Sequence, residues 1–177
     1  MMKMLFKKTL VAAALLAAGG YAAAAASNPA TAQFQVLMTV TKACTVTAAN
    51  VSLGTADASA AVGTSGTNNI SVTCSNKTGY NVALQSANNA SNAGVGTLKG
   101  AASGNTDTLT YQLYSNSGMS TVWGNNGVTA AVTGNGVAGS GNGTAQSIGV
   151  WAKVTSAAPT FVTPDSYSDT VTVSVYY

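Results

Sequence analysis

The chain of 177 residues contains no histidine, no arginine and no glutamate. Those absences remove the commonest general base, the usual bidentate clamp for phosphate or carboxylate, and one of the two carboxylic acids used in acid–base catalysis. Ser-His-Asp and Cys-His catalysis are excluded outright. A Ser/Lys dyad with SxxK spacing is absent too: three residues before Lys42, Lys77, Lys99 and Lys153 stand Thr39, Cys74, Gly96 and Val150. Charge of either sign is scarce, at 6% of residues, and the lysines outside the N-terminal end are scattered, so no basic stripe exists for a nucleic acid backbone. Asp165 and Asp169 are the nearest carboxylates in sequence, but they flank Ser166 and Tyr167 just before an apolar run, where turn-forming and solvated roles are expected. Trp123 and Trp151 stand apart in or beside apolar segments and read as packing residues. The expectation is a non-enzymatic protein with no metal, no cofactor and no nucleic acid partner.

What is present begins with a basic tip, Lys3, Lys7 and Lys8, a short apolar run Leu10 to Ala18, and Gly19-Gly20 before a series of alanines. That is the layout of a secretory signal peptide, with an Ala-x-Ala site at Ala24 and Ala26 placing cleavage after Ala26. The apolar run is well short of the ~20 residues that span a bilayer. About 150 residues remain, enough for one all-β domain with a single core. In this remainder Lys42, Lys77, Lys99 and Lys153 balance Asp57, Asp107, Asp165 and Asp169, so net charge is close to zero and repulsion between copies is weak. The two cysteines, Cys44 and Cys74, read as one disulfide in an oxidising exported compartment.

Period-two alternation recurs along the chain and helical spacing does not. It runs through Phe34, Val36, Met38 and Val40; Ile70, Val72 and Cys74; Tyr80, Val82 and Leu84; Leu109, Tyr111 and Leu113; Ile148, Val150, Ala152 and Val154; and Val171, Val173, Val175 and Tyr177. Thr, Ser, Asn and Gln fill the alternate places, as in strands packed on one face. Asn126-Gly127, Asn135-Gly136 and Asn142-Gly143 predict tight hairpins joined by short segments. The pattern is that of a β-sandwich with Cys74 facing inward beside Ile70 and Val72. The Gly- and Asn-rich stretch 124–143 carries no aspartate and so lacks the repeat of a calcium-binding β-roll. Sequons at Asn50, Asn69, Asn76, Asn89 and Asn142 are the chance product of an Asn- and Thr-rich composition.

Both ends of the processed chain are alternating apolar strands. An apolar strand at an edge is a template for pairing, either within the molecule or with another copy. At this point the residues resemble a family, the spore coat protein U-like pilins of the archaic chaperone-usher pathway, from about Phe34 to Tyr177. The resemblance is carried in order by Phe34-x-Val36-x-Met38-x-Val40, Cys44-Thr45-Val46, Leu53-Gly54, Ile70 to Cys74, Tyr80 to Leu84, Leu109 to Tyr114 and Tyr167-Ser168-Asp169-Thr170-Val171-Thr172-Val173.

The resemblance implies an all-β, incomplete immunoglobulin-like β-sandwich completed by a donor strand from a neighbouring subunit. Residues 1–26 would be the cleaved signal peptide, 27–42 the N-terminal donor-strand extension and 43–177 the sandwich. Phe34, Val36, Met38 and Val40 would be the donor residues, and Val171, Val173, Val175 and Tyr177 would line the acceptor groove and meet a chaperone. The implied partners are the chain itself as a homopolymer, a periplasmic chaperone, an outer-membrane usher and a tip adhesin. The implied role is a structural pilus subunit exported through the periplasm to a cell-surface fibre supporting adhesion and biofilm formation. Two alternatives stay open: a self-contained secreted binding module whose N-terminal strand pairs with its own C-terminal strand, and a coat protein that assembles without a chaperone.

Overall fold

The computed structural model describes residues 28–177, so the signal-peptide reading of residues 1–26 lies outside the described residues. The chain divides between Thr39 and Val40. Residues 28–39 carry no strand. The alternating segment Phe34 to Val40, expected from its period to be the first strand, is unpaired backbone. Alternation supplies an apolar face, but a strand also needs a neighbour to take its backbone hydrogen bonds.

Residues Val40–Tyr177 hold nine strands: β1 Cys44–Ala48, β2 Ser65–Cys74, β3 Gly79–Ser86, β4 Val95–Gly100, β5 Thr108–Tyr114, β6 Val137–Ser140, β7 Gln146–Ala158, β8 Tyr167–Ser168 and β9 Val171–Tyr176. They form two antiparallel sheets, one ordered β1-β2-β7-β5-β4-β8 and the other β6-β3-β9, the immunoglobulin-like sandwich expected from the sequence. The inward residues of the alternating strands build the core: Ile70, Val72 and Cys74 from β2, Tyr80, Val82 and Leu84 from β3, Tyr111 and Leu113 from β5, Val150 and Ala152 from β7. A second cluster gathers Ala61, Leu109, Val154 and Val162 near one end. Trp123 is fully buried and donates its indole N–H to the Val82 carbonyl at 2.9 Å, so the polar atom of the largest core side chain is satisfied.

Cys44 and Cys74 face each other as register partners of β1 and β2 and are joined by the expected disulfide, with Cα atoms 4.1 Å apart. Because β1 pairs only with β2 among the described residues, this bridge fixes an edge strand that has no second hydrogen-bonded neighbour there.

Two strands were hidden from the alternation rule by glycine. Gly96 of β4 lies opposite Tyr111 of β5, and Gly139 of β6 lies opposite Tyr80 of β3. A Cβ at either glycine would run into the facing phenol ring. The ring of one strand thus covers its partner, and the partner's own sequence loses its apolar signal.

The Asn-Gly dipeptides do not make hairpins. Asn126-Gly127 and Asn135-Gly136 belong to one long β5–β6 connection and close it on itself, with Asn135 N–H donating to the Asn126 carbonyl at 3.1 Å and Asn126 N–H to the Asn135 side chain at 2.6 Å. Asn142-Gly143 lies on the link from β6 to β7, which belong to different sheets. The positive φ values at Gly127 and Gly143 are real, but they serve loops and a crossover. The connections β1–β2, β5–β6 and β7–β8 are correspondingly longer than the turn signals implied.

Candidate functional site

The three-stranded sheet ends at β9. Backbone direction along that strand follows from its partner. Leu84 N–H donates to the Gly124 carbonyl and the Val82 carbonyl accepts from Trp123, so residues 82 and 84 turn their peptide groups away from β9. Residues 81, 83 and 85 therefore face β9, where their partners are Tyr176, Ser174 and Thr172. Val171, Val173 and Val175 consequently aim their own N–H and C=O groups at the open edge, while their side chains pack on the core. All three are only half-buried. Apolar side chains at the core face of an edge strand are left partly uncovered where a neighbouring strand is missing.

A cleft of about 930 Å³ opens between the sheets beside this edge. Its apolar walls include Leu98, Leu109, Leu113, Ala152, Val154, Val171 and Val173. The connection 48–58 and the segment 162–170 close it in. A cleft with apolar walls bordered by free backbone donors and acceptors is suited to an extended peptide, which fills both kinds of vacancy at once.

One end of the cleft is polar and tightly organised. The Asp169 carboxylate accepts hydrogen bonds from the Tyr111 hydroxyl at 2.8 Å, from the Ser86 hydroxyl, from Asn88 N–H at 3.1 Å and from Thr170 N–H at 2.7 Å. Burial is the main force pushing the Tyr111 phenol above the ordinary tyrosine range, and the adjacent Asp169 carboxylate adds to it by binding the phenol proton and repelling the phenolate. Asp165, half-buried nearby, accepts from Ala102 N–H and the Asn105 amide, each at 2.8 Å, which hold its carboxyl below the usual range. The expectation that both aspartates only form turns and meet solvent is thus corrected. Asp169 joins the start of β9 to β3 and β5, and Asp165 anchors the loop after β4.

Of the residues singled out by sequence, Val171 and Val173 line the cleft. Val175 packs against the main core further along β9, and Tyr177 stands beyond the end of the strand, 45% exposed. Phe34, Val36, Met38 and Val40 are between 79% and 88% exposed, an extreme value for four large apolar side chains. Leu37, 82% exposed, interrupts their alternation and was passed over by the period-two reading. Asp169 and Tyr111 were missed as a pair because they are 58 positions apart in sequence.

The family model of the Spore Coat Protein U domain matches residues 30–174. No curated protein matches the chain. Among solved structures, a chain of the chaperone–tip adhesion subunit pre-assembly complex CsuC–CsuE, from archaic chaperone-usher Csu pili of Acinetobacter baumannii, has a similar fold, with a TM-score of 0.53 at 22% identity. The similarity covers 78% of this chain and 41% of that one, so the chain spans less than half the length of the protein it resembles.

Proposed function

The chain belongs to the Spore Coat Protein U domain family, and from that premise we propose that it is a structural subunit of a chaperone-usher pilus that polymerises by donor-strand exchange. In this reading residues 27–42 of one copy form the donor and 43–177 form the acceptor sandwich. The incoming strand adds to the free edge of β9 and turns Phe34, Val36, Met38 and Val40 towards the core face, from the cleft along the rest of β9. A periplasmic chaperone would occupy the same cleft before assembly, an outer-membrane usher would catalyse the replacement, and a tip adhesin would end the fibre. The fibre would reach the cell surface through the periplasm and serve adhesion and biofilm formation.

The observation that carries the reading is the coexistence of an apolar cleft along an unpaired β9 edge with a strand-like apolar segment that lies in no sheet. Burying four such side chains at about 1.5 to 3 kcal/mol each gains roughly 6 to 12 kcal/mol before ordering costs. That is comparable to the 5 to 15 kcal/mol that stabilises a whole domain. The self-contained module needs a second hydrogen-bonded neighbour for β9 from the same chain, and among the described residues β9 pairs with β3 alone. The test is deletion of Ser27 to Val40: the shortened subunit should still accept a strand but should not extend fibres. Fibres of ordinary length from that variant would contradict the proposal.

A further inference from the structure

The donor segment and the cleft carry opposite charge at one end each. Extended backbone puts every second side chain on one face, so Lys42 is in phase with Phe34, Val36, Met38 and Val40. It is the segment's cation and sits after the last apolar position. The cleft's lining includes Asp57, Asp165 and Asp169 and no lysine. Two of these carboxylates lie on the segment that leads into β9, and the third is carried by a connection tied to that segment. Asp169 precedes Val171 by two residues, Asp165 lies on the segment leading to it, and the connection that carries Asp57 is tied to that segment by Val162 N–H donating to the Ala58 carbonyl.

We propose that Lys42 of a second copy is a positioning residue that docks against Asp57, Asp165 and Asp169 and thereby fixes both the direction and the register of the inserted strand; the proposal rests on the strand-exchange reading above. Charge places Lys42 at the start of β9, so the strand runs antiparallel to β9. With Lys42 beside Asp169, the antiparallel register sets Val40 opposite Val171, Met38 opposite Val173, Val36 opposite Val175 and Phe34 opposite Tyr177. Each pair has the same inward face and turns its peptide groups towards the shared edge, as a hydrogen-bonded pair requires. A shift by one residue would turn the apolar face outward. A shift by two that sets Lys42 against Val171 keeps the face but carries the charge into the apolar stretch, and the parallel direction carries it to the far end of β9. The opposite shift by two leaves Lys42 between Asp165 and Asp169 but moves Phe34 to Val175 and leaves Tyr177 uncovered, so charge and apolar matching together distinguish the slips.

The experiment titrates fluorescent peptides spanning Ala30 to Ala43, unchanged and with Lys42→Glu, into the full chain freed of residues 1–26. At about 20 mM salt the Lys42→Glu peptide should bind about tenfold more weakly, and the gap should shrink at about 0.5 M salt as screening shortens to a few ångströms. Replacing exposed Asp57 with Lys should narrow the gap as well. Carbodiimide coupling should join peptide Lys42 to Asp57, Asp165 or Asp169. Equal affinities at low salt, or coupling near Tyr177, would overturn the alignment and leave strand exchange standing. Failure of both peptides to bind would overturn the alignment and strand exchange together.

Discussion

Replacing Asp169 separates the contributions of its four hydrogen bonds. With alanine, the amides of Asn88 and Thr170 can turn to water, but the hydroxyls of Tyr111 and Ser86 belong to residues only 3% and 5% exposed. A buried hydroxyl left without its partner costs about 1 to 3 kcal/mol, so two give roughly 2 to 6 kcal/mol. Asparagine keeps the shape. Its carbonyl oxygen accepts from the two amides and its NH2 donates to the Tyr111 or Ser86 oxygen, so the loss is of the charge and of the acceptor for the two hydroxyl protons, which turn away, about 1 to 2 kcal/mol. Tyr111→Phe removes one donor and leaves Asp169 three others, again about 1 kcal/mol. The expected order of stability is wild type, then Tyr111→Phe and Asp169→Asn together, then Asp169→Ala well below them. Urea unfolding followed by tryptophan fluorescence, with saturating donor peptide present, measures it. An Asp169→Ala loss below about 1 kcal/mol, or an Asp169→Asn loss as large as that of alanine, would refute the account of this network.

The remaining predictions use the same assay or the peptide titration. Changing both Cys44 and Cys74 to alanine opens a loop with a sequence separation of 30. By chain entropy it should cost about 3 to 4 kcal/mol, and a loss near zero would mean that β1 is held without the bridge. Because the folded-state pKa of Tyr111 is raised, the native phenol keeps its proton when the unfolded one releases it, so stability is full below about pH 10 and falls as pH rises above it. Tyr111→Phe should flatten that alkaline decline, and an unchanged slope would contradict it. Val173→Lys should be tolerated by the open subunit, since residue 173 is half-exposed, but should weaken donor-peptide binding by more than about 100-fold, because the inserted strand would trap an unpaired charge. Undiminished binding would move the insertion site away from β9.

The sequence made β2, β3, β5, β7 and β9 legible because each carries its own apolar face at every second position, as Val72, Val82, Tyr111, Val150 and Val173 do. The glycines of β4 and β6 concealed those strands, since the ring that fills their inward place belongs to the partner. Alternation at Phe34 to Val40 was legible as an apolar face, but it left open whether that segment pairs within the molecule or with another copy, because period two says nothing about where the hydrogen-bonding neighbour comes from. The terminal residues of the candidate cleft were visible as a pattern. The carboxylates at its end were visible only as residues, because Asp169 gains its role from Ser86 and Tyr111, which the fold brings to it from β3 and β5.

The central claim is that the subunit is incomplete until another chain supplies a strand. Gel filtration of the chain freed of residues 1–26, alone and with a peptide spanning Ala30 to Lys42, followed by thermal melting, tests it most directly. Strand exchange predicts polymers or aggregates without the peptide, and with it a monomer that melts far higher. A stable monomer whose size and melting temperature ignore the peptide would contradict the claim and favour the self-contained module.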